Sequence, residues 1–202
     1  PTEGHIYYNG RDIYEQGFNM KELRSRVGLV FQYPEHQLFE TEIFKDVCFG
    51  PKNLGLSQKE VEIRAFESLR LVGIDDNMFY QSPFDLSGGQ KRRVAIAGVL
   101  AMKPDVLILD EPTAGLDPKG RDDILNCLKY LREETGMTII LVSHSMDDVA
   151  NYADYVNVLE SGKLVRSGYP KEVFQDVDFL ESKQLGVPKI TKFAQQLVKR
   201  GL

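Results

Sequence analysis

Tryptophan is absent from the 202 residues, cysteine occurs only twice, and the longest apolar runs are strand-sized and far shorter than a transmembrane helix requires. Cys48 and Cys127 lie far apart and fit no metal-binding spacing, which is typical of reduced cytosolic thiols. Positive charge is also in deficit, because 25 Lys and Arg face 30 Asp and Glu, with a pI near 5.3. This balance argues against nucleic-acid binding. We expect a soluble chain without a signal peptide, tied to any membrane through a partner protein.

Apolar residues make up 42% of the chain, enough for one domain that buries roughly 70% of its unfolded surface. Apolar strands that alternate with amphipathic helices predict an α/β fold, in which helices cover both faces of a mainly parallel sheet. Residues 41–103 lack convincing strands and are predicted to form a helical insertion. Strands are predicted at 5–8, 27–31, 106–109, 138–142, 155–159 and 163–165, and helices at 57–73, 88–102, 118–135 and 146–152.

Polar residues follow three of the predicted strands. Asp110 and Glu111 come directly after 106–109, Gln32 follows 27–31, and His144 follows 138–142. Open α/β sheets bind their ligands at the carboxyl ends of the strands, so four polar groups at one edge predict a ligand site. For the acidic pair alone, the alternative is an ordinary strand end in a solvated turn. A single histidine, likewise, is more often structural than catalytic.

Ser87, Gly88 and Gly89 stand where a helix is predicted to begin. Glycine lets a backbone approach a ligand closely, and the free N–H groups of a helix N-terminus bind anions, with the Ser87 hydroxyl as a further donor. The alternative is a simple N-cap by Ser87. Asp117 precedes Pro118 at the start of another helix, which is favourable capping chemistry.

In their order, these residues resemble the nucleotide-binding subunits of ATP-binding-cassette (ABC) transporters. The likeness covers nearly the whole chain, and its complete signature pentapeptide makes it specific. It implies a RecA-like P-loop NTPase core with an inserted helical signature subdomain. The matching segments are Gln32 for the Q-loop, 86–90 for the signature motif, 106–111 for Walker B, 114–117 for the D-loop and His144 for the switch histidine.

The resemblance also implies roles for these residues, with ATP and Mg²⁺ as cofactors. Glu111 would polarise the attacking water, and His144 would hydrogen-bond that water and the γ-phosphate. Asp110 and Gln32 would hold Mg²⁺, which prefers oxygen ligands. The signature residues would act on ATP held by the other subunit of a head-to-tail pair, where Asp117 would line the interface as well as cap its helix. The residues expected to contact ATP are Gln32, Ser87, Gly88, Gly89, Gln90 and Asp117.

The phosphate-binding motif G-x-x-x-x-G-K-[ST] does not occur in the chain. In the family it lies upstream of the stretch matched by Pro1 to Gly4, together with the aromatic residue that stacks on adenine. We therefore expect a fragment that lacks the N-terminal part of the fold and is inactive alone. The expected division is 1–40 and 104–176 for the core, 41–103 for the helical subdomain and 177–202 for a C-terminal extension.

Residues 31–39, 46–51, 147–154 and 185–190 resemble the energy-coupling-factor (ECF) branch of the family, which imports cobalt and vitamins. This implies a second ATPase subunit, a shared transmembrane component and, indirectly, a substrate-capturing membrane protein, at the cytoplasmic face of the cell membrane. Tyr33, Leu38 and Phe39 would form a groove for the transmembrane component. Ordinary packing of the helical subdomain is the alternative for these three side chains.

Two other functions belong to different classes. A non-transport cassette in DNA repair would need a long coiled-coil insertion, and one in translation usually carries two cassettes in one chain; neither feature occurs here. A nucleotide-free docking module is compatible with the missing P-loop. The transported substrate leaves no trace in the sequence, because this subunit would not touch it.

Overall fold

The computed structural model describes residues 3–183 and 185–199. The chain divides into two compact units, Pro1–Ile140 and Leu141–Leu202. Among the described residues, no helix combines the length and the apolar character that crossing a bilayer requires.

The first unit combines a small parallel sheet with five α-helices along its described residues. Its strands are β1 (Tyr7–Tyr8), β2 (Arg11–Asp12), β3 (Val27–Val30), β4 (Val106–Asp110) and the first three residues of β5 (Thr138–Val142). Its helices are α1 (Met20–Arg26), α2 (Ile43–Asn53), α3 (Gln58–Leu71), α4 (Gly88–Leu100) and α5 (Pro118–Thr135), with 3₁₀ turns at Pro34–Gln37, Asp76–Met78 and Pro83–Asp85.

The sheet of the first unit has the order β3-β4-β5, and β3 runs parallel to β4. Side chains alternate between the two faces of a strand. One face is buried, and there β3 lies so close to α4 that a Cβ on Gly28 would be 2.4 Å from Cγ1 of Val99. On the opposite face, Leu29 remains 42% exposed, and Ile140 of β5 is 47% exposed.

Helix α4 is the centre of the first unit. It packs against α2, α3, α5, β3 and the 3₁₀ turn Pro34–Gln37. Val94, Ile96, Ala97 and Leu100 are buried along it. A helix with neighbours on most sides is the expected centre of a core. All elements between residues 41 and 103 are helical, as the sequence pattern predicts.

Capping residues define the helix ends that the sequence predicts. Ser57 accepts a hydrogen bond from the Glu60 N–H at 3.3 Å at the start of α3. Asp117 does the same for α5, accepting from the Gly120 N–H at 3.0 Å. Gly136 ends α5 with φ of 66°, a conformation that glycine adopts without steric cost.

The second unit packs short helices against a β-hairpin. The hairpin turns at Ser161 and Gly162, as predicted, and both residues have positive φ. Its core contains Val156, Val158, Val173, Phe174 and Leu180. The elements are the last two residues of β5, α6 (Met146–Tyr152), β6 (Val156–Glu160), β7 (Lys163–Gly168), α7 (Pro170–Gln175), α8 (Val177–Ser182) and α9 (Lys189–Lys199).

Candidate functional site

The register between β3 and β4 brings two of the predicted site segments to one edge of the sheet. The last pair along the ladder is Val30 with Leu109. Gln32 stands two residues beyond Val30, and Glu111 stands two residues beyond Leu109. Because the strands are parallel, both residues follow the same end of the sheet, with Asp110 at the last position of β4. The sequence-predicted juxtaposition of these residues is therefore present in the first unit.

Glu111 has an unusual backbone. Its φ is 48°, in the left-handed region that non-glycine residues rarely adopt. A turn follows, in which the Ala114 N–H donates to the Glu111 carbonyl at 3.0 Å and Gly115 has φ of 73°. Such strained residues cluster at functional sites, where the surrounding structure holds them in place. We call residues 111–117 the acidic loop.

The N-terminus of α4 has a capping box, and its first residues, Ser87 and Gly88, are exposed. Ser87 and Gln90 form a capping box, in which the Ser87 hydroxyl accepts from the Gln90 N–H and the Gln90 side chain accepts from the Ser87 N–H. The capping interpretation of Ser87 is thus confirmed. A hydroxyl that accepts one hydrogen bond still has its own hydrogen to donate. The first N–H groups of a helix have no partner within the helix and carry partial positive charge, so this end suits an anion.

The glycines of this helix end lie beside the acidic loop. A Cβ on Gly88 would be 3.9 Å from Cδ2 of Leu116, and one on Gly89 would be 4.0 Å from Cα of Gly120. Both distances are ordinary van der Waals contacts, and neither glycine has positive φ. The fold therefore has room for a methyl group at both positions. A need for glycine here would come from a ligand.

Arg92, in the second turn of α4, is a residue that the sequence analysis missed. Its side chain is 1% exposed and contacts both the turn after Gln32 and the acidic loop through Glu35, Pro112 and Ala114. Burial opposes ionisation of Glu35, but the hydrogen bonds and charge of Arg92 outweigh it, so the Glu35 pKa lies below its ordinary value. The sequence did hold a signal: Arg92 stands four residues before the buried Ile96, on the apolar stripe of the helix. A cation in that position requires a buried partner.

His144 belongs to the second unit, two residues after the end of β5. It is exposed and precedes Ser145, whose side chain caps α6. Its predicted role toward a γ-phosphate stays a prediction.

Three comparisons with known proteins bear on this geometry. The family model described as ABC transporter matches residues 1–114, which is more than half of the chain. The chain belongs to the ABC transporter family. Within it, the chain groups with the ATP-binding proteins of energy-coupling factor transporters, to which it is up to 60% identical along its whole length.

Two relatives of this branch and one solved structure are similar to the chain. The energy-coupling factor transporter ATP-binding protein EcfA2 of Streptococcus agalactiae serotype Ia is 60% identical over 204 residues, covering 100% of this chain and 72% of the relative. The protein of the same name from Streptococcus pyogenes serotype M3 is 59% identical, and the match again covers 100% of this chain and 72% of the relative. The structure of CbiO1 from Clostridium perfringens, part of the ABC transporter complex CbiONQ, has a TM-score of 0.79, 40% identity and coverage of 96% of this chain and 77% of that one.

A second solved structure is a dimeric ATP-binding cassette in a post-hydrolysis state with ADP and phosphate. It matches with a TM-score of 0.69 and 30% identity over 84% of this chain and 75% of that chain. The RecA-like α/β fold predicted from the sequence is therefore confirmed.

The donor set of this ABC ATPase fits Mg²⁺. Asp110 and Gln32 both offer oxygen atoms at the end of the β3-β4 pair. Among the described residues, no group of three or more His, Cys, Asp or Glu side chains is arranged to hold a metal. Mg²⁺ is commonly held by one or two protein oxygens together with nucleotide phosphates and water.

Neither cysteine of the ABC ATPase supplies a nucleophile. Both are free, and burial raises the pKa of the Cys48 and Cys127 thiols to about 11. The thiolate is the reactive form, and at neutral pH both groups are held almost entirely as thiols.

Of the three apolar residues near the Q-loop, Leu38 is buried, while Tyr33 and Phe39 are exposed. Leu38 is 8% exposed, so the packing interpretation is confirmed for this side chain. Tyr33 and Phe39 are 41% and 56% exposed, and the Phe39 ring meets Phe49 edge to face with centroids 4.9 Å apart. The loop that carries Phe39 is anchored by Asp46, which accepts from the Phe39 and Glu40 N–H groups at 2.9 Å. Burial raises the Asp46 pKa, and these two hydrogen bonds oppose that shift.

Proposed function

We propose that this chain is the ATP-hydrolysing part of an ECF-type transporter and powers uptake of a vitamin or a transition-metal ion. The observation that carries the proposal is the parallel register of β3 and β4, which leaves Gln32, Asp110 and Glu111 at one sheet edge. The subunit would lie at the cytoplasmic face of the membrane and dock to a transmembrane component through exposed Tyr33 and Phe39.

The proposed chemistry is phosphoryl transfer from ATP to water, which depends mostly on positioning and charge neutralisation. Asp110 and Gln32 would hold Mg²⁺, which neutralises phosphate charge when bound. Glu111 would accept a hydrogen bond from the attacking water, and His144 would donate to the γ-phosphate. The similar solved cassette is dimeric, which supports a pair of subunits. In our proposal this pair is head to tail, and the α4 end acts on the other subunit's ATP.

The proposal includes the ATP contacts that the sequence predicts for the residues at the α4 end. The exposed Ser87 hydroxyl and the Gly88 and Gly89 N–H groups would face the γ-phosphate. Gln90 also serves the capping box, and Asp117 also caps α5. We keep the division into a core (1–40 and 104–176), a helical subdomain (41–103) and a C-terminal extension (177–202) as part of the same proposal.

The 202 residues contain no P-loop motif. We therefore propose that they neither bind ATP usefully nor hydrolyse it on their own. A docking role for these residues alone is the second candidate, and the exposed Tyr33 and Phe39 favour it.

Replacement of Glu111 tests the proposed function in the full-length subunit within its transporter complex. Glu111→Gln keeps the size and removes the charge that activates water, so hydrolysis should fall by roughly 10² or more, the scale of general-base catalysis. ATP-bound pairs should accumulate. Glu134→Gln, an exposed change near the end of α5, is the control. Near-normal phosphate release by the Glu111 variant would contradict the assignment.

A further inference from the structure

Arg92 is the bulkiest fully buried side chain among the described residues. Burying a charge is costly unless it is paired and hydrogen-bonded. A fold that keeps a guanidinium at 1% exposure in its central helix must satisfy it completely. The partners of Arg92 therefore show what the residue holds together.

One side of the guanidinium is engaged by Glu35, which stands 57 positions earlier in the sequence. Nε donates to Oε2 at 3.1 Å, and Nη2 donates to Oε1 at 2.8 Å. This is a bidentate pair, which fixes orientation as well as distance. Glu35 lies in the 3₁₀ turn Pro34–Gln37, so the pair ties α4 to the segment that follows Gln32.

The other side of the guanidinium is engaged by the acidic loop. Nη1 donates to the Pro112 carbonyl at 2.7 Å and to the Ala114 carbonyl at 2.9 Å. These carbonyls lie between the two residues of the loop with positive φ, Glu111 and Gly115. A strained backbone persists only where its surroundings over-determine it. Arg92 supplies the two donors that hold this part of the loop.

Tyr33 makes a second link between the segment after Gln32 and the acidic loop. It also has positive φ, at 57°, directly before Pro34. A Cβ on Gly115 would lie 3.5 Å from Cε1 of the Tyr33 ring. The segment 33–37 thus meets the acidic loop directly through Tyr33 and indirectly through Glu35 and Arg92.

We infer that Arg92 is a positioning residue of the ATPase site, which holds the acidic loop in its strained form and ties it to the segment after Gln32. The inference rests on the proposed function, because it concerns the same site. Arg92 touches no reacting atom in this role. It acts through the placement of Glu111 and through the start of its own helix.

The test uses Arg92→Lys, Glu35→Gln and the double variant in the full-length subunit within its transporter complex. Lysine keeps the charge but has no planar fork, so it cannot engage Glu35 and both carbonyls together. We expect kcat to fall about tenfold or more in both single variants, while the Kd for Mg·ATP changes less than about twofold. Because the two residues act as one unit, the double variant should be no slower than Arg92→Lys.

Arg64→Lys is the matched control. The Arg64 Nε donates to Glu60 at 2.7 Å within α3, so the same substitution alters an ion pair inside a single helix. Its kcat should stay within about twofold of wild type. All assays are run well below the melting temperature of each variant. A role in stability alone would then leave kcat unchanged.

Three outcomes would overturn the inference: wild-type kcat in the folded variants, a Kd that rises in step with the loss of kcat, or a double variant whose losses multiply. If Arg92→Lys fails to fold, Glu35→Gln decides by the same kcat and Kd criteria, since the glutamine side-chain oxygen can still accept a hydrogen bond from the buried guanidinium. Wild type and Glu111→Gln are measured alongside. If Glu111→Gln hydrolysed ATP normally, the proposed function would be wrong. If Glu111→Gln were impaired but the Arg92 and Glu35 variants hydrolysed ATP normally, only the inference about Arg92 would be wrong.

Discussion

At the scale of single residues, the two glycines of the signature motif are not required by the packing of the fold, so a ligand is the remaining reason for glycine at these positions. Gly88 and Gly89 have ordinary φ, and a methyl group on either would meet its neighbours at contact distance. Gly98, in the same helix, has no atom within 4 Å of the place that a Cβ would occupy. The three glycines are therefore equivalent for packing, while only the first two lie at the exposed helix end.

Gly89→Ala should leave the folded subunit intact and impair hydrolysis in the transporter complex, because the methyl group would intrude where the other subunit's γ-phosphate approaches. Gly98→Ala is the control and should hydrolyse ATP normally, with a gain in stability of up to about 1 kcal/mol from helix propensity. Phosphate release and melting temperature are measured for both. Equal activity in the two variants would remove the proposed ligand from this helix end.

At the scale of elements, the packing of β3 against α4 depends on Gly28, which has no side chain. A Cβ on Gly28 would lie 2.4 Å from Cγ1 of Val99 and 3.3 Å from Cγ of Pro104. The first distance is too short for any real contact, so either the Val99 side chain would have to move or strand and helix would have to separate. Since β3 leads directly to Gln32, this contact also supports the candidate site.

Gly28→Ala should destabilise the first unit by about 1–3 kcal/mol, the usual cost of overpacking a core. For a chain of this size, the melting temperature should fall by roughly 2–4 °C per kcal/mol. Circular dichroism melts of Gly28→Ala and Gly98→Ala provide the comparison, since both add one methyl group, the first against Val99 and the second where no atom lies within 4 Å. An unchanged melting temperature for Gly28→Ala would mean that Val99 can move aside at no cost.

At the scale of the whole molecule, phosphate binding depends on parts that these 202 residues lack. In the proposed function, Asp110 and Gln32 would hold the metal and the α4 end would bind an anion, but none of them would provide a lysine-bearing backbone cradle for the β- and γ-phosphates. The acidic pair would also repel nucleotide that carries no metal, and the net charge of −5 adds to this repulsion.

Residues 1–202 alone should therefore show no melting shift in Mg·ATP at millimolar concentration. A ligand at about 100 times its Kd would stabilise the fold by about 2.7 kcal/mol, which a melting curve resolves. AMP with Mg²⁺ is the control for unspecific effects. A clear upward shift with Mg·ATP that AMP does not produce would contradict the proposed inactivity of these residues.

The sequence by itself determined those features that depend on local interactions, such as helix ends and contiguous motifs. Ser57, Asp117 and Gly136 act on backbone groups within four residues, so the ends of α3 and α5 follow from the residues present there. The strands β4 and β5 are visible as apolar runs, and the signature, Walker B and Q-loop segments are contiguous. The sequence analysis did not predict the helices α1, α2, α7, α8 and α9 individually, although α2 and α9 each have 11 residues.

Only the tertiary structure decided which distant residues meet. Nothing local pairs Arg92 with Glu35, because the contact depends on how the chain path returns to α4 after 57 residues. The positive φ of Glu111 likewise has no sequence marker, since it is held by donors from another element. Leu38 and Phe39 are adjacent and similar in character, yet one is buried and the other exposed. Both residues lie in the loop between the 3₁₀ turn and α2, and the tertiary path of this loop, which Asp46 anchors through the Phe39 and Glu40 N–H groups, separates them.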